Sequence, residues 1–398
     1  MKDKQVRELK KEEGERQDSV IDLIASHNRV SDDVLEALGS KFTNIYAEGY
    51  PGRRYYGGQD NTDPLELLTQ ERALKLFGIS PRKWCVNVQP LSGSQANFAV
   101  CMALVPIGGK IMGMSLAHGG HLTHGQSVSA TGKLWKQVPY GVSKITEWLD
   151  YDDLEKIAKK HKPHLIIAGF TAYSRIIDFK RFRKIADACG ALLMVDMSHF
   201  AGLVAGGAYS SPFLYADVVT TTTHKTLRGP RHALIFARKN RTVEGPISSV
   251  SIASAIDKAI FPGLQGGPHM NTIAAVAVAL KEASTPAFKK YAEQVVKNAQ
   301  ILAWELKEKG WRIVSGGTDS HLLLVDTYMN GAGIGGKEAS DRLEEAGIIT
   351  SMSMLPFDTR KPTDPSGIRL GSAAETTRGK KERDFFDIAG KIDGVLKE

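Results

Sequence analysis

Short apolar runs alternate with longer segments of helical periodicity along much of this 398-residue chain. Leu165-Ile-Ile-Ala168 and Leu192-Leu-Met-Val195 are wholly apolar, the pattern of strands covered on both faces. Val218-Val-Thr-Thr-Thr-Thr223 joins them, because β-branched side chains favour the pleated conformation. Between these runs, Tyr151–Lys160 and Arg181–Ala188 carry apolar positions at helical spacing. Strand–helix alternation predicts a mostly parallel α/β sheet with helices on both faces. Asn271 through Lys309 predicts a long helical stretch broken at Thr285-Pro286, followed by strands at Trp311–Val314 and Leu322–Val325. A short helix at Ser31–Leu38 closes the N-terminal part. The expected layout is an N-terminal arm (1–44), a large domain (45–272), and a linker helix with a smaller α+β domain (273–398).

Composition changes this picture little. Hydrophobic residues make up 42% and charged residues 24%, as in ordinary globular proteins, and the length suffices for two cores. No run approaches the ~20 apolar residues of a membrane span. The first residues, Met1-Lys-Asp-Lys-Gln-Val-Arg-Glu, lack the apolar centre of a secretory signal, so the expected location is cytoplasmic. Cys85, Cys101 and Cys189 form no Cys-x-x-Cys pair, which points to neither a disulfide framework nor a zinc site. A net charge of +8 attracts anions in general. No nucleic-acid recognition motif accompanies it, so RNA binding is kept only as a distant alternative.

Candidate chemistry comes from three places, in chain order. Ser92-Gly93-Ser94 precedes the apolar helix candidate Phe98–Val105, and free N–H groups at a helix start suit a phosphate. Asp196 closes its apolar strand, at the end of the sheet where α/β ligands gather. Lys225 follows the threonine run and His224, just before the breaker pair Gly229-Pro230, as a Schiff-base amine is presented. Each feature alone has a commoner reading: a serine N-cap, a strand-end turn residue, a solvated lysine. Together they supply what pyridoxal phosphate requires, namely an amine for its aldehyde, a carboxylate for its pyridinium nitrogen and a phosphate cradle.

Four longer motifs narrow the reading: Tyr46-Ala-Glu48-Gly-Tyr-Pro-Gly-Arg-Arg-Tyr55-Tyr56-Gly-Gly58, Leu116-Ala-His118-Gly-Gly-His121-Leu-Thr-His124-Gly125, Phe261-Pro-Gly-Leu-Gln-Gly266-Gly267-Pro268 and Ser366-Gly-Ile-Arg369-Leu-Gly371. With the lysine run they resemble the serine hydroxymethyltransferases, pyridoxal-phosphate enzymes of fold-type I, from about residue 21 to the C-terminus. The resemblance implies an aspartate aminotransferase-like fold and exchange of serine and tetrahydrofolate for glycine and 5,10-methylenetetrahydrofolate. It also implies roles. Lys225 carries the cofactor, Asp196 holds the ring nitrogen, His121 stacks on the ring, and His199 and His224 lie near the cofactor's oxygen and its link. Ser92, Gly93 and Ser94 bind the phosphate, with Ser174 against the cofactor from a neighbouring strand end. Tyr46, Gly266 and Gly267 reach that phosphate from a partner subunit, which makes a homodimer, or a tetramer built from it. Arg369 clamps the amino-acid carboxylate, a fork that guanidinium geometry matches, aided by Ser26, Tyr56 and Arg231. Glu48 of the partner is the acid–base group, and Leu116, Gly120, His121, Leu122, Ser353 and Thr363 meet tetrahydrofolate. No metal is expected: Gly119-Gly120 argues against a helix that would align His118, His121 and His124 as ligands.

The chain departs from the family pattern at several points. His27 in Ala25-Ser26-His27-Asn28 replaces a glutamate, and His232-Ala233 after Arg231 replaces two glycines, with a shift of Arg231 the expected risk. Ser353 replaces an asparagine, Lys361-Pro362-Thr363 a Ser-Pro-Phe, and Gly371-Ser-Ala-Ala a Gly-Thr-Pro-Ala. Loss of an amide and of an aromatic face weakens the expected pterin contacts. The alternative function is therefore a folate-independent aldolase acting on threonine-like β-hydroxy amino acids.

Overall fold

The apolar runs form the middle of one seven-stranded sheet in the computed structural model, which describes residues 2–244 and 248–398. Its strands are β1 (Trp84–Asn87), β2 (Lys110–Met114), β3 (Lys136–Tyr140), β4 (Leu165–Gly169), β5 (Leu192–Asp196), β6 (Val218–Thr222) and β7 (Ala233–Arg238). They lie in the order β1-β7-β6-β5-β4-β2-β3. Neighbours from β6 through β3 are parallel, and β7 alone runs antiparallel to the two strands beside it. Side chains alternate between two cores, as a pleated strand requires. Ile166, Ala168, Leu193 and Val195 pack on one face, Leu165, Ile167 and Met194 on the other.

Helices cover both faces: α1 (Lys4–Ser19) is an exposed arm, and α2 (Gly93–Leu104), α3 (Tyr151–His161), α4 (Phe179–Cys189), α5 (Met270–Ala283) and α6 (Pro286–Glu308) follow. The break between α5 and α6 falls where Thr285-Pro286 predicts it. Thr285 accepts from the Phe288 N–H as N-cap, and Pro286 takes the first turn, where its missing N–H costs nothing. Beyond α6, four antiparallel strands, β8 (Arg312–Ile313), β9 (Leu322–Asp326), β10 (Ser351–Ser353) and β11 (Gly367–Gly371), lie in the order β8-β9-β11-β10. Leu302 and Leu306 of α6 share a core with Leu323, Val325 and Leu370 of this sheet.

One connection has no counterpart in the sequence reading. Ile21 and Asp22 pair in parallel with Ile348 and Ile349, and Leu23 is buried in the small-sheet core. The Gly371 N–H donates to Leu23 O at 2.7 Å, and a Cβ on Gly371 would lie 2.4 Å from Ala25 Cα. This close approach holds the chain just before Ser26 against β11. Among the described residues, no helix is long and apolar enough to cross a membrane.

Candidate active site

At the carboxyl ends of β4, β5 and β6 the side chains enclose a cavity of 420 Å³. Strand β6 is buried throughout although three of its five residues are threonines. Each hydroxyl finds an acceptor: Thr220 donates to Asn97 Oδ1 at 2.7 Å, Thr221 to Thr222 O at 2.8 Å, and Thr222 to Ser198 O at 3.4 Å. Such pairing is what lets a polar strand be buried. The turn that follows brings Lys225 onto the cavity wall, its Nζ 3.2 Å from Thr222 Oγ1. Arg228 completes that turn in the left-handed region at φ 60°, a costly conformation for a non-glycine residue. Asn28 fixes the turn from outside, donating to Lys225 O at 2.9 Å and to Tyr291 Oη at 2.7 Å.

Burial pulls the Lys225 amine down to about 8; Asp196 opposes the shift and Arg369 and Arg231 add to it. Only the neutral amine attacks an aldehyde. Capture of free pyridoxal phosphate by apoprotein therefore accelerates as pH rises through about 8 and then levels off, measurable by stopped-flow absorbance. A rate independent of pH across that range contradicts the assignment.

Asp196 lies on the same wall with both oxygens engaged. Asn97 Nδ2 donates to Oδ2 at 2.8 Å, His124 Nε2 meets Oδ2 at 3.1 Å, and the Ser198 N–H donates to Oδ1 at 3.1 Å. Burial pushes the carboxyl up, but the hydrogen bonds from His124 and Ser198 outweigh it and hold the acid well below the usual carboxylate range. Asp196 is thus a permanent anion. The His121 ring accepts at Nδ1 from Thr123 N at 3.2 Å, and burial lowers it to about 4, so it is neutral. Burial likewise lowers His224 to about 3 and holds His199 well below the ordinary imidazole range. His199 stacks on His321 with ring centroids 5.4 Å apart.

The expected phosphate-binding residues fall at the start of α2. Ser92 is its N-cap, accepting from Gln95 N at 3.3 Å, so the bland reading of that serine is correct as far as it goes. Gly93 and Ser94 begin the helix, and their N–H groups have no partner within it. A Cβ on Gly93 would come within 2.6 Å of Thr222 Cγ2. Gly93→Ala therefore overpacks the wall at a cost of roughly 1–3 kcal/mol, seen as a lower Tm and weaker retention of pyridoxal phosphate. Equal retention by the variant refutes a cradle at this glycine.

The cavity also carries cationic groups. Arg369 on β11 donates from Nη1 to Thr171 O at 2.8 Å, and its Nε is buried without a partner. Burial lowers the guanidinium to about 10, which leaves it charged at neutral pH. Lys225, Arg231 and Arg369 thus share the wall with one carboxylate, Asp196, an excess that suits anionic ligands. Amine, ionised carboxylate, open helix start and neutral imidazole fit pyridoxal phosphate by the chemistry of the donor set.

A second group of expected residues assembles elsewhere on the chain. Tyr56 Oη donates to Glu48 Oε2 at 3.3 Å, and the Tyr46 and Tyr56 rings meet edge-on at 5.5 Å. Cβ atoms on Gly266 and Gly267 would lie 3.0 Å from Glu48 Oε1 and 3.0 Å from Tyr46 Cε1. None of the five lines the cavity. Tyr46 and Tyr56 are 61% and 47% exposed, unusually open for aromatic side chains. The negative charge of Glu48 raises the Tyr56 phenol.

A family model described as serine hydroxymethyltransferase matches residues 1–392. The chain belongs to the serine hydroxymethyltransferase family. It is also 54% identical over 386 residues to a serine hydroxymethyltransferase of Koribacter versatilis (strain Ellin345), covering 97% of this chain and 87% of that protein. The mixed sheet with its smaller α+β part is the fold-type I architecture expected.

Some positions expected from the serine hydroxymethyltransferase pattern stand apart from the cavity. Ser174 is buried with its Oγ 3.0 Å from Ser315 Oγ, a joint between the two sheets, and Thr171 takes the place on the wall. Ser353 turns its hydroxyl to Met354 O at 3.1 Å, Thr363 is exposed, and Leu122 is 44% exposed. Leu116 is half-buried, and Gly120 packs so close to Met114 O that a Cβ would reach 2.0 Å. His232 is buried and donates from Nε2 to Val88 O at 2.8 Å, with burial lowering it to about 4. Arg231 remains on the wall despite that imidazole. Asn97, His124, Thr171 and His321 escaped sequence reasoning as site residues. Asn97 lies just before the predicted helix Phe98–Val105 and on the observed one, and His124 lies in a motif already singled out; Thr171 and His321 carried no local signal.

Proposed function

We propose that this protein is a pyridoxal-phosphate-dependent serine hydroxymethyltransferase, exchanging serine and tetrahydrofolate for glycine and 5,10-methylenetetrahydrofolate. The observation that carries this reading is Lys225, the ionised Asp196 and the open start of α2 lining one cavity. When bound, the cofactor withdraws electron density from the amino-acid α-carbon. Lys225 supplies the amine that holds its aldehyde, and Asp196 keeps a proton on its ring nitrogen. Gly93 and Ser94 hold the phosphate, and neutral His121 covers the ring. Arg369 orients the amino acid by its carboxylate, with Ser26 beside it.

Glu48, Tyr56, Tyr46 and Gly266-Gly267 complete the cavity of a second copy, so the working unit is a homodimer. Support comes from their assembly as one partly exposed cluster away from the cavity of their own chain. A mixture of Lys225→Ala and Glu48→Gln chains, dissociated and reassociated, regains activity because each mixed dimer holds one intact site. Failure to regain any activity removes the shared site. The cytoplasm is the proposed location, where the three free thiols stay reduced.

Formation of glycine from serine that depends on tetrahydrofolate tests the function itself. A second reading, folate-independent cleavage of threonine-like β-hydroxy amino acids, is favoured by Ser353 and Thr363, neither of which faces the cavity. Threonine cleavage unaffected by tetrahydrofolate, with no folate-dependent serine turnover, would select it.

A further inference from the structure

We infer that Arg175 is a positioning residue for the amino-acid site: it registers the small sheet against the segment 171–176, and so sets where Arg369 meets Thr171 O. The inference rests on the amino-acid reading of the cavity and adds a residue that lies outside it. The bond from Arg369 Nη1 to Thr171 O, at 2.8 Å, spans the boundary between the two sheets. Thr171 sits on the large-sheet side, shortly after β4. The Thr171 and Ala172 N–H groups both donate to Gly119 O, at 2.7 and 3.1 Å, which fixes this segment beside the loop that follows β2. Arg369 belongs to β11 of the small sheet. Their spacing therefore depends on what holds one side against the other.

Further along that segment, Arg175 crosses the same boundary with every guanidinium nitrogen. Nε donates to Ser315 Oγ at 3.1 Å, Nη1 to Asp319 Oδ1 at 3.0 Å, and Nη2 to Ser315 O. Asp319 returns the grip: its Oδ2 accepts from Ile176 N at 3.1 Å, and its own N–H donates to Ser174 O at 2.9 Å. Trp148 supports the guanidinium, with Cζ 4.8 Å from the ring centroid. The loop so gripped leads into β9, where Leu324 pairs with Arg369. Just beyond β11, the Ser372 N–H donates to His321 O at 3.0 Å. A displacement of the 315–319 loop is thus carried to Arg369 through one sheet.

The grip is more than an ion pair. A partly exposed Arg–Asp pair adds little stability, yet this one helps to hold Ser315 in the left-handed region at φ 57°, costly for a non-glycine residue. Arg175 takes the hydroxyl and carbonyl oxygens of Ser315, and Glu147 Oε2 accepts from its N–H at 2.6 Å. Glu147 is left-handed too, at φ 57°, and also pairs with Arg312 of β8. Backbone held against its preference by partners across a boundary marks a joint whose geometry matters more than its strength. A misplacement of about 1 Å originating far from the chemistry can cost about 10²-fold.

The test is titration of the holoenzyme with glycine, read by visible absorbance, for wild type, Arg175→Gln and Arg175→Lys, with Tm alongside. Expected is a glycine Kd raised about tenfold in Arg175→Gln, the low end for a hydrogen bond to a charged group. Arg175→Lys gives a smaller rise, since an ammonium can keep Asp319 but cannot fork onto both Ser315 oxygens. Cofactor retention stays unchanged, because Asp196, Lys225 and the start of α2 belong to the large-sheet side. The deciding readout is a double-mutant cycle on kcat/KM for the hydroxy amino acid that wild type cleaves: with Arg369→Ala in place, Arg175→Gln costs nothing further. Penalties that multiply, or wild-type glycine affinity in Arg175→Gln, overturn the inference and leave Arg175 a plain strut between the sheets. If Arg175→Gln fails to fold, Arg175→Lys carries both measurements. Wild-type holoenzyme that binds no glycine sinks the amino-acid reading itself, and the inference with it.

Discussion

Lys225→Ala protein is colourless after purification and its serine turnover falls by about 10³-fold or more, the scale of removing a covalent nucleophile. No other lysine among the described residues lines the cavity, so none can substitute. The loss extends beyond one contact. Lys225 is the end of a chain of constraints that runs from the buried threonines of β6, through the left-handed turn at Arg228, to the Asn28 bond on its carbonyl. These hold the amine near Thr222 Oγ1, and burial keeps a fraction of it neutral. A visible spectrum and a turnover assay read the outcome together. A variant that keeps the colour of the lysine-bound aldehyde contradicts the assignment of Lys225.

Arg369→Ala raises the Kd for glycine, and lowers kcat/KM for serine, by about 10²–10³-fold, in line with 2–5 kcal/mol for truncating one partner of a buried, hydrogen-bonded charge pair. The free protein already bears the cost of burying this guanidinium, with Nε unpartnered and Nη1 on a backbone carbonyl. Substrate recovers that cost, so truncation falls mainly on affinity. Arg369→Lys restores little, because an ammonium offers a point charge rather than a fork. Titration with glycine and steady-state kinetics with serine check it. Unchanged glycine affinity would place the carboxylate elsewhere on the wall.

Legibility followed locality. Strands β4 and β5 could be read because both of their faces are buried, so the code is an unbroken apolar run. The aspartate could be read because it ends such a strand, and the lysine because it follows the β-branched run of β6. What holds Asp196 could not: Asn97 and His124 come from 99 and 72 residues away and meet it only when the sheet forms. Ser174 and Thr171 lie three residues apart on an irregular segment, and no periodicity says which of two hydroxyls faces inward. At His232 the sequence raised an alarm that packing answers, since the ring finds Val88 O in a space that spares Arg231. The five residues clustered around Glu48 were legible only as a motif, and their separation from the cavity is a matter of tertiary placement.

The pairing of Ile21-Asp22 with Ile348-Ile349 has a mechanical corollary. Ser26 and His27 travel with β11 and Arg369, whereas Lys225 and Asp196 belong to the large sheet. Any rocking of the small lobe therefore moves Ser26, His27 and Arg369 together against the Lys225 side of the cavity, and Asn28 bridges the two sides, bonded to Lys225 O and to Thr377.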